Sequence, residues 1–308
     1  MKKSLLASYF SGVQDHDAVG QSYPKLFKYF IPELVTATVF LFCTSIFDSY
    51  FIAHLKSTSL IATQGVTTSL LHAIIKLSEG LLVGAVVICG QYNGIQDYKK
   101  VGKALSNVFW LTVIFGLCVS SFLYFCAYYI YYFYGVTPKM ISLGMPLLKL
   151  RAVSVFLMCV YFGFVGFLRG IKNTHVPMVV SILGGIFFVF IDYVLIFGCY
   201  GMPECGIMGS AIASIIQYLV MLIAVFLYIV FDKENRKFGI EFFSRPSLSM
   251  MKSLLLVSWP VMIDKVTLSL AHVWLGYRLA PMGKYALASF SAIKDIERIA
   301  ILPALACA

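Results

Sequence analysis

Two carboxylates pose the first chemical question in this 308-residue chain. Asp48 sits late in an apolar run from about Tyr29 to Phe51, and Asp192 interrupts another between Pro177 and Cys199. An acid inside about 20 apolar residues is costly in lipid, which makes each a functional candidate by default. Counted along a helix, both lie roughly 10–14 Å below the same boundary, Asp48 measured from the link near Lys56 and Asp192 from Gly201. Two unpaired acids at one depth on separate helices can hold a proton or a Na⁺, because the cation offsets the desolvation that each carboxylate suffers alone. The plainer alternative is that each is tied to a polar neighbour.

Other polar residues inside apolar runs are weighed the same way. Gln64, Ser214 and Gln217 could line a polar cavity or join helices to one another. His72, Lys76 and Glu79 share one helical face, where a structural Lys76–Glu79 pair is the simpler reading than an ion relay. Asp264 and Lys265 are adjacent and so point in different directions. Lys294, Asp295, Glu297 and Arg298 crowd the last apolar run, which implies contact with water or other helices there. Lys149 and Arg151 stand near the start of their run, where long stems can snorkel outward. The 8 cysteines lie mostly in apolar runs and match no zinc spacing. Cys199 and Cys205 flank one turn and could pair, although unpaired thiols are the simpler expectation. No nucleophile triad, phosphate loop or dinucleotide fingerprint is present, so the chain does not read as an enzyme and implies no metal or organic cofactor.

The elements that must position these residues are membrane helices. Hydrophobic residues make up 60% of the chain and charged residues 12%, and the mean hydropathy is +0.87. That balance excludes an ordinary soluble domain. The net charge of +10 could suggest nucleic acid. The bases cluster instead in short loops between apolar runs, as the positive-inside bias requires, and no nucleic-acid partner is implied. The pattern predicts an all-α integral membrane protein with about eight transmembrane helices. A cytoplasmic amino-terminal arm occupies 1–28, a complete six-helix bundle 29–231 and a cytoplasmic linker 232–252. Residues 253–308 form the first two helices of a second, parallel repeat. Pro32 and Pro260 enter corresponding spans, Pro32 followed 28 residues later by Leu60 and Pro260 27 residues later by Leu287, which is the sign of that repeat. The span that ends near Tyr134 is aromatic, as a membrane–water belt would be.

Four stretches together resemble the multidrug and toxic compound extrusion (MATE) family of cation-coupled antiporters. They are Phe47-Asp-Ser-Tyr-Phe-Ile-Ala53, Gly90-Gln-Tyr-Asn-Gly94 with Asp97, Leu168-Arg-Gly-Ile-Lys-Asn-Thr-His-Val-Pro-Met178, and Gly201 to Ser214. The resemblance covers about Pro32 to Ala308. It implies H⁺- or Na⁺-coupled export of amphipathic organic cations or drugs across the inner membrane, with Asp48 and Asp192 as the ion or proton site. Phe188 stands where the family often has Asn, which departs from a Na⁺ site of that type. The family usually has twelve helices, and this sequence stops inside what resembles the eighth. The 308 residues alone are therefore expected not to transport, and a second chain completing the bundle is an implied partner beside the lipid bilayer. Rival readings are a lipid-linked saccharide flippase of the same superfamily, which would need a more cationic cavity, a non-transporting remnant or interaction protein, and a seven-helix receptor.

The orientation can be tested directly. Fourteen Lys and Arg residues fall on the arm and even-numbered loops, against six on the opposite side. Single cysteines placed before Tyr29 or between Asp232 and Met251 should resist a membrane-impermeant thiol reagent applied outside intact cells. Labelling of either from outside would reverse the topology.

Overall fold

The computed structural model describes residues 23–240, 242 and 246–307, so most of the proposed amino-terminal arm lies outside the described residues. Helix α1 is Tyr23–Leu41. It runs through a π-helical turn, Phe42–Phe47, directly into α2, Asp48–His54. Then come α3 (Thr58–Gly94), α4 (Tyr98–Phe133), α5 (Pro138–Gly170) and α6 (His175–Phe197). Helices α7 (Ile207–Phe231), α8 (Leu248–Leu279) and α9 (Lys284–Cys307) complete the chain. No strand occurs among the described residues.

Among the described residues seven helical runs are long and apolar enough to cross a membrane, with α1 and α2 counted as one crossing. Helix α9 is not among them; Lys294, Asp295, Glu297 and Arg298 lower its apolarity. The helices extend beyond the expected spans. The 37 residues of α3 reach about 55 Å, well past a hydrocarbon layer of about 30 Å.

Helix α5 corrects one boundary in a way that matters for the site. The sequence places Lys149 and Arg151 near the start of their apolar run, but Pro138 holds the first turn behind an extended Thr137, and Pro146 lies inside the helix. Proline suits the first turn because its missing N–H has no intrahelical partner there. Asp97 opens α4 by accepting from the Lys100 backbone N–H at 3.2 Å and pairing with its ammonium at 2.8 Å. The hydrogen bond from Lys100 holds this carboxyl below its ordinary value. That contribution to the cap is present above the ordinary carboxylate range and is lost as pH falls through the lowered value.

Helix α3 is the axis of the packing, touching α5, α8 and α9. Its inner half, with α4, α5 and α7, forms a core around Leu105, Phe164 and Leu168. A smaller core of Ile52, Leu147, Ile196 and Ala211 closes over the region of the two acids. Large side chains on the outside are apolar, among them Phe125 and Phe133 at the aromatic end of α4, as lipid contact requires. In the linker after α7, Glu234–Phe238 form a 3-10 turn. Phe238 is buried, edge-on to Phe167 and Tyr98.

The α6–α7 approach depends on one missing side chain. A Cβ at Gly209 would lie 2.8 Å from the carbonyl carbon of Leu195 and 2.9 Å from the Ile196 nitrogen. Backbone cannot yield as a flexible side chain can, so Gly209→Val should push the helices apart and cost about 1–3 kcal/mol. Thermal unfolding in detergent should drop by several degrees, whereas Gly94→Ala, which meets nothing within 4 Å, should be neutral. Equal melting of the two variants would mean that the contact is not limiting.

Candidate functional site

Asp48 begins α2 immediately after the π turn, a distortion that re-aims the side chains following it. It is buried, and its carboxylate is saturated with donors. Oδ1 accepts from the Ser210 hydroxyl, and Oδ2 accepts from Gln64 Nε2 at 2.7 Å and from Arg151 Nη2 at 3.1 Å. The same guanidinium donates to Ser210 Oγ at 2.6 Å and to the Ser214 hydroxyl. Ser214 in turn donates to the Ser210 carbonyl at 3.0 Å. Four helices, α2, α3, α5 and α7, thus meet through one ion pair and its hydrogen bonds.

Two expectations are corrected here. Asp48 is not an unpaired acid, and Arg151 does not snorkel. The cause is the start of α5. Counted from Pro138, Arg151 lies thirteen residues in, about 20 Å along the helix and too deep for its stem to reach the boundary. It finds a carboxylate instead. Arg151 and Ser210 are the site residues that sequence reasoning missed; the depth from Pro138 was the available signal.

Asp192 is different. It is fully buried on α6, and neither oxygen has a hydrogen-bond partner. It lies within electrostatic reach of Asp48 and Arg151. Phe188, one turn earlier on α6, is also buried, and its side chain offers no oxygen. The two acids belong to one electrostatic group with opposite surroundings: one saturated, one bare.

The remaining candidates separate. Gln64 joins the network, and its Oε1 has no partner. Ser214 joins through Arg151, while Gln217 is buried three residues further along α7 with Oε1 unpartnered. A cavity of about 10 Å³, with room for one water-sized group, opens beside Asp48 and Gln64. Thr44, Thr68, Ser291 and Lys294 complete its wall. Lys294 is buried and donates to Ser69 Oγ at 2.8 Å. Lys76 and Glu79 form the expected structural pair at 2.8 Å, and Lys265 joins them at 3.5 Å while its neighbour Asp264 is exposed. His272 meets Glu297 at 3.4 Å. The side chains of Asp295 and Arg298 lie outside the described residues. Cys199 and Cys205 are free thiols. Among the described residues no three His, Cys, Asp or Glu side chains converge as a metal site would require.

The ion pair yields a stability test. Removing one partner of a buried pair leaves the other charged and uncompensated, at about 3–5 kcal/mol. Arg151→Met should therefore destabilise strongly, and adding Asp48→Asn should recover much of the loss. Thermal unfolding of the parent and the two variants reads this; an Arg151→Met protein as stable as the parent would show that the pair is not needed.

A family model, MatE, matches residues 34–194, which include both acids, Arg151 and the two loops that follow α3 and α5. The fold is similar to an inward-facing multidrug resistance MATE transporter of the MOP superfamily, at 18% identity and TM-score 0.78 over 90% of this chain and 63% of that one. An outward-facing structure of such a transporter gives 20% identity and TM-score 0.79 over 91% and 61%. A MOP superfamily transporter from Pyrococcus furiosus, for which the reverse polarity of the binding pocket suggests a different function, gives 19% and 0.78 over 91% and 61%. The chain spans about three-fifths of the length of these solved chains. With its helices in the same arrangement and the family pattern running from α1 into α6, the chain is a multi-pass membrane protein that belongs to the MatE family of transporters.

Proposed function

We propose that this chain is the ion-handling part of a cation-coupled antiporter that exports amphipathic organic cations across the inner membrane, with its amino terminus in the cytoplasm. It acts as a carrier and not as an enzyme. The observation that carries the reading is Asp192, fully buried with neither oxygen hydrogen-bonded. A carboxylate in such surroundings is sustained by a proton or a bound cation. A proton needs a single oxygen, whereas Na⁺, a hard cation, draws on several oxygen donors. Phe188 supplies none, so the reading favours H⁺ over Na⁺ as the coupling ion. Asp48, held by Ser210, Gln64 and Arg151, sets the local potential rather than accepting the ion itself. When Asp192 gives its proton to water, the carboxylate left behind attracts an organic cation; return of the proton removes that attraction.

A second reading has one observation behind it. Arg151 and Lys294 are two bases turned into the interior, a polarity that suits the anionic head of a lipid-linked saccharide. The experiment separates the two. Purified chain in lipid nanodiscs, in weakly buffered solution with a pH dye, should release protons when ethidium is added, and Asp192→Asn should release none. Release by the Asp192→Asn protein equal to the parent would sink the proton-carrier reading. Release triggered by a polyprenyl diphosphate and not by ethidium would favour the flippase.

A further inference from the structure

The aromatic end of α4 and the second half of α8 flank a groove of about 590 Å³ that the ion site does not use. Phe122, Tyr129 and Phe133 stand on the α4 side, and Leu270, Trp274 and Tyr277 on the α8 side. None of its lining residues is charged, and these six are 40–76% exposed. One end is pinned. The Tyr134 hydroxyl donates to the Val273 carbonyl at 3.0 Å, and the Phe133 and Tyr277 rings stack at 5.6 Å. We propose that this groove holds an acyl chain of an anionic glycerophospholipid, whose phosphate is received by Arg278.

The length of the groove fits one leaflet. From Phe122 to Phe133 α4 rises about 16 Å, close to half of a hydrocarbon layer of about 30 Å. The groove therefore ends where head groups begin, at the carboxyl ends of α4 and α8, which is the outer leaflet in the orientation proposed above. The charge at that end selects the head group. Arg278 lies one turn after Trp274, with its guanidinium over the Trp274 ring at 6.0 Å. Lys139 and Lys284 belong to the first turns of α5 and α9, at the same end. Residues 113–150 and 265–294, which contain both walls and the connections beside them, hold no Asp or Glu. A guanidinium in that setting can bond two phosphate oxygens at once while its stem lies along apolar surface.

An organic cation is the other amphipath that aromatic walls suit. Trp274, the strongest cation-binding ring of the groove, already faces a guanidinium, whose charge repels a second cation. A zwitterionic lipid fits the groove equally well by its chains, so the selectivity rests with Arg278. One base beside an anionic head group is worth about fivefold in occupancy. Asp48, Ser210, Gln64, Arg151 and Asp192 do not line the groove, so the assignment stands independently of the coupling ion.

Tryptophan fluorescence reads occupancy without transport. The chain has three tryptophans, Trp110, Trp259 and Trp274, and replacing the first two by Phe leaves Trp274 as the reporter in the full chain in nanodiscs. Brominated acyl chains quench tryptophan on contact. In a phosphatidylcholine background, brominated phosphatidylglycerol should quench Trp274 at about one-fifth of the mole fraction that brominated phosphatidylcholine requires. Arg278 is exposed, so its replacement leaves the fold intact. Arg278→Gln should make the two lipids equal, and Arg278→Lys should keep part of the preference. A Trp259 reporter, about 28 Å along α8 from Arg278, should not respond to Arg278→Gln, which separates a site from general attraction to the surface. Equal quenching by both lipids in the parent, or a preference unchanged by Arg278→Gln, would overturn the proposal. So would a Trp274 that neither lipid quenches, since protein would then cover the groove. Relief of the quenching by tetraphenylphosphonium would give the groove to organic cations instead.

Discussion

A carboxylate taken out of water must be given something in return, and the answer found for Asp48 organises the first bundle. Taking two ions into a low-dielectric interior costs several kcal/mol each, and their attraction compensates only when the remaining hydrogen-bonding positions are filled. Here they are filled by Ser210, Gln64 and Ser214 as well as by Arg151 itself. Donors drawn from α3, α5 and α7 converge on one residue of α2, so the rotation and depth of four helices are linked through it. Apolar packing alone would tolerate sliding of one helix along another. The small residues on α7 around Gly209 and Ser210 follow from the same need, since a larger side chain there would hold the donors out of reach.

The second acid is intelligible only against the first. With a saturated Asp48 beside it, Asp192 need not contribute to the architecture. It can remain without a fixed partner, which is the condition for an ion to come and go at small structural cost. A hydrogen-bonded carboxylate would hold its form too firmly to exchange, and an isolated one could not be kept in the fold. The contrast between a saturated acid and a bare one follows from the surroundings and not from residue type, since both are aspartates in apolar helices.

That division also marks the limit of what the sequence showed. The eight helices were legible because a bilayer forces every spanning backbone group into helical hydrogen bonds and every lipid-facing residue to be apolar. The acids stood out for the same reason. Their partners did not, because partnership depends on where a helix starts and how it is rotated. Taking Pro146 for the first turn of α5 placed Arg151 near the boundary; taking Pro138 places it at the core. The π turn over Phe42–Phe47 leaves no periodic signature at all, yet it sets the direction of Asp48. For Lys294 the cost of the charge was legible, but not the helix that meets it.

Helix α3 shows how a chain this apolar can carry so many charges. Gln64, Thr68, His72, Lys76 and Glu79 recur at intervals of three or four residues, which gathers them on one side of the helix. Against that side lie Lys265 of α8 and, through Ser69, Lys294 of α9. The opposite surfaces of α8 present Trp259 and Trp274, both largely exposed. A helix such as α9, unfavourable in lipid by its charges, is therefore stable only with its polar side turned to α3. The polar side of α3 is in turn concealed only when α8 and α9 are in place. Each surface is unsuited to lipid without the other, so the seam between them is where an aqueous opening costs least. Motion of α8 and α9 against the first bundle would open along that line, and the cavity that Asp48 shares with Lys294 lies on it.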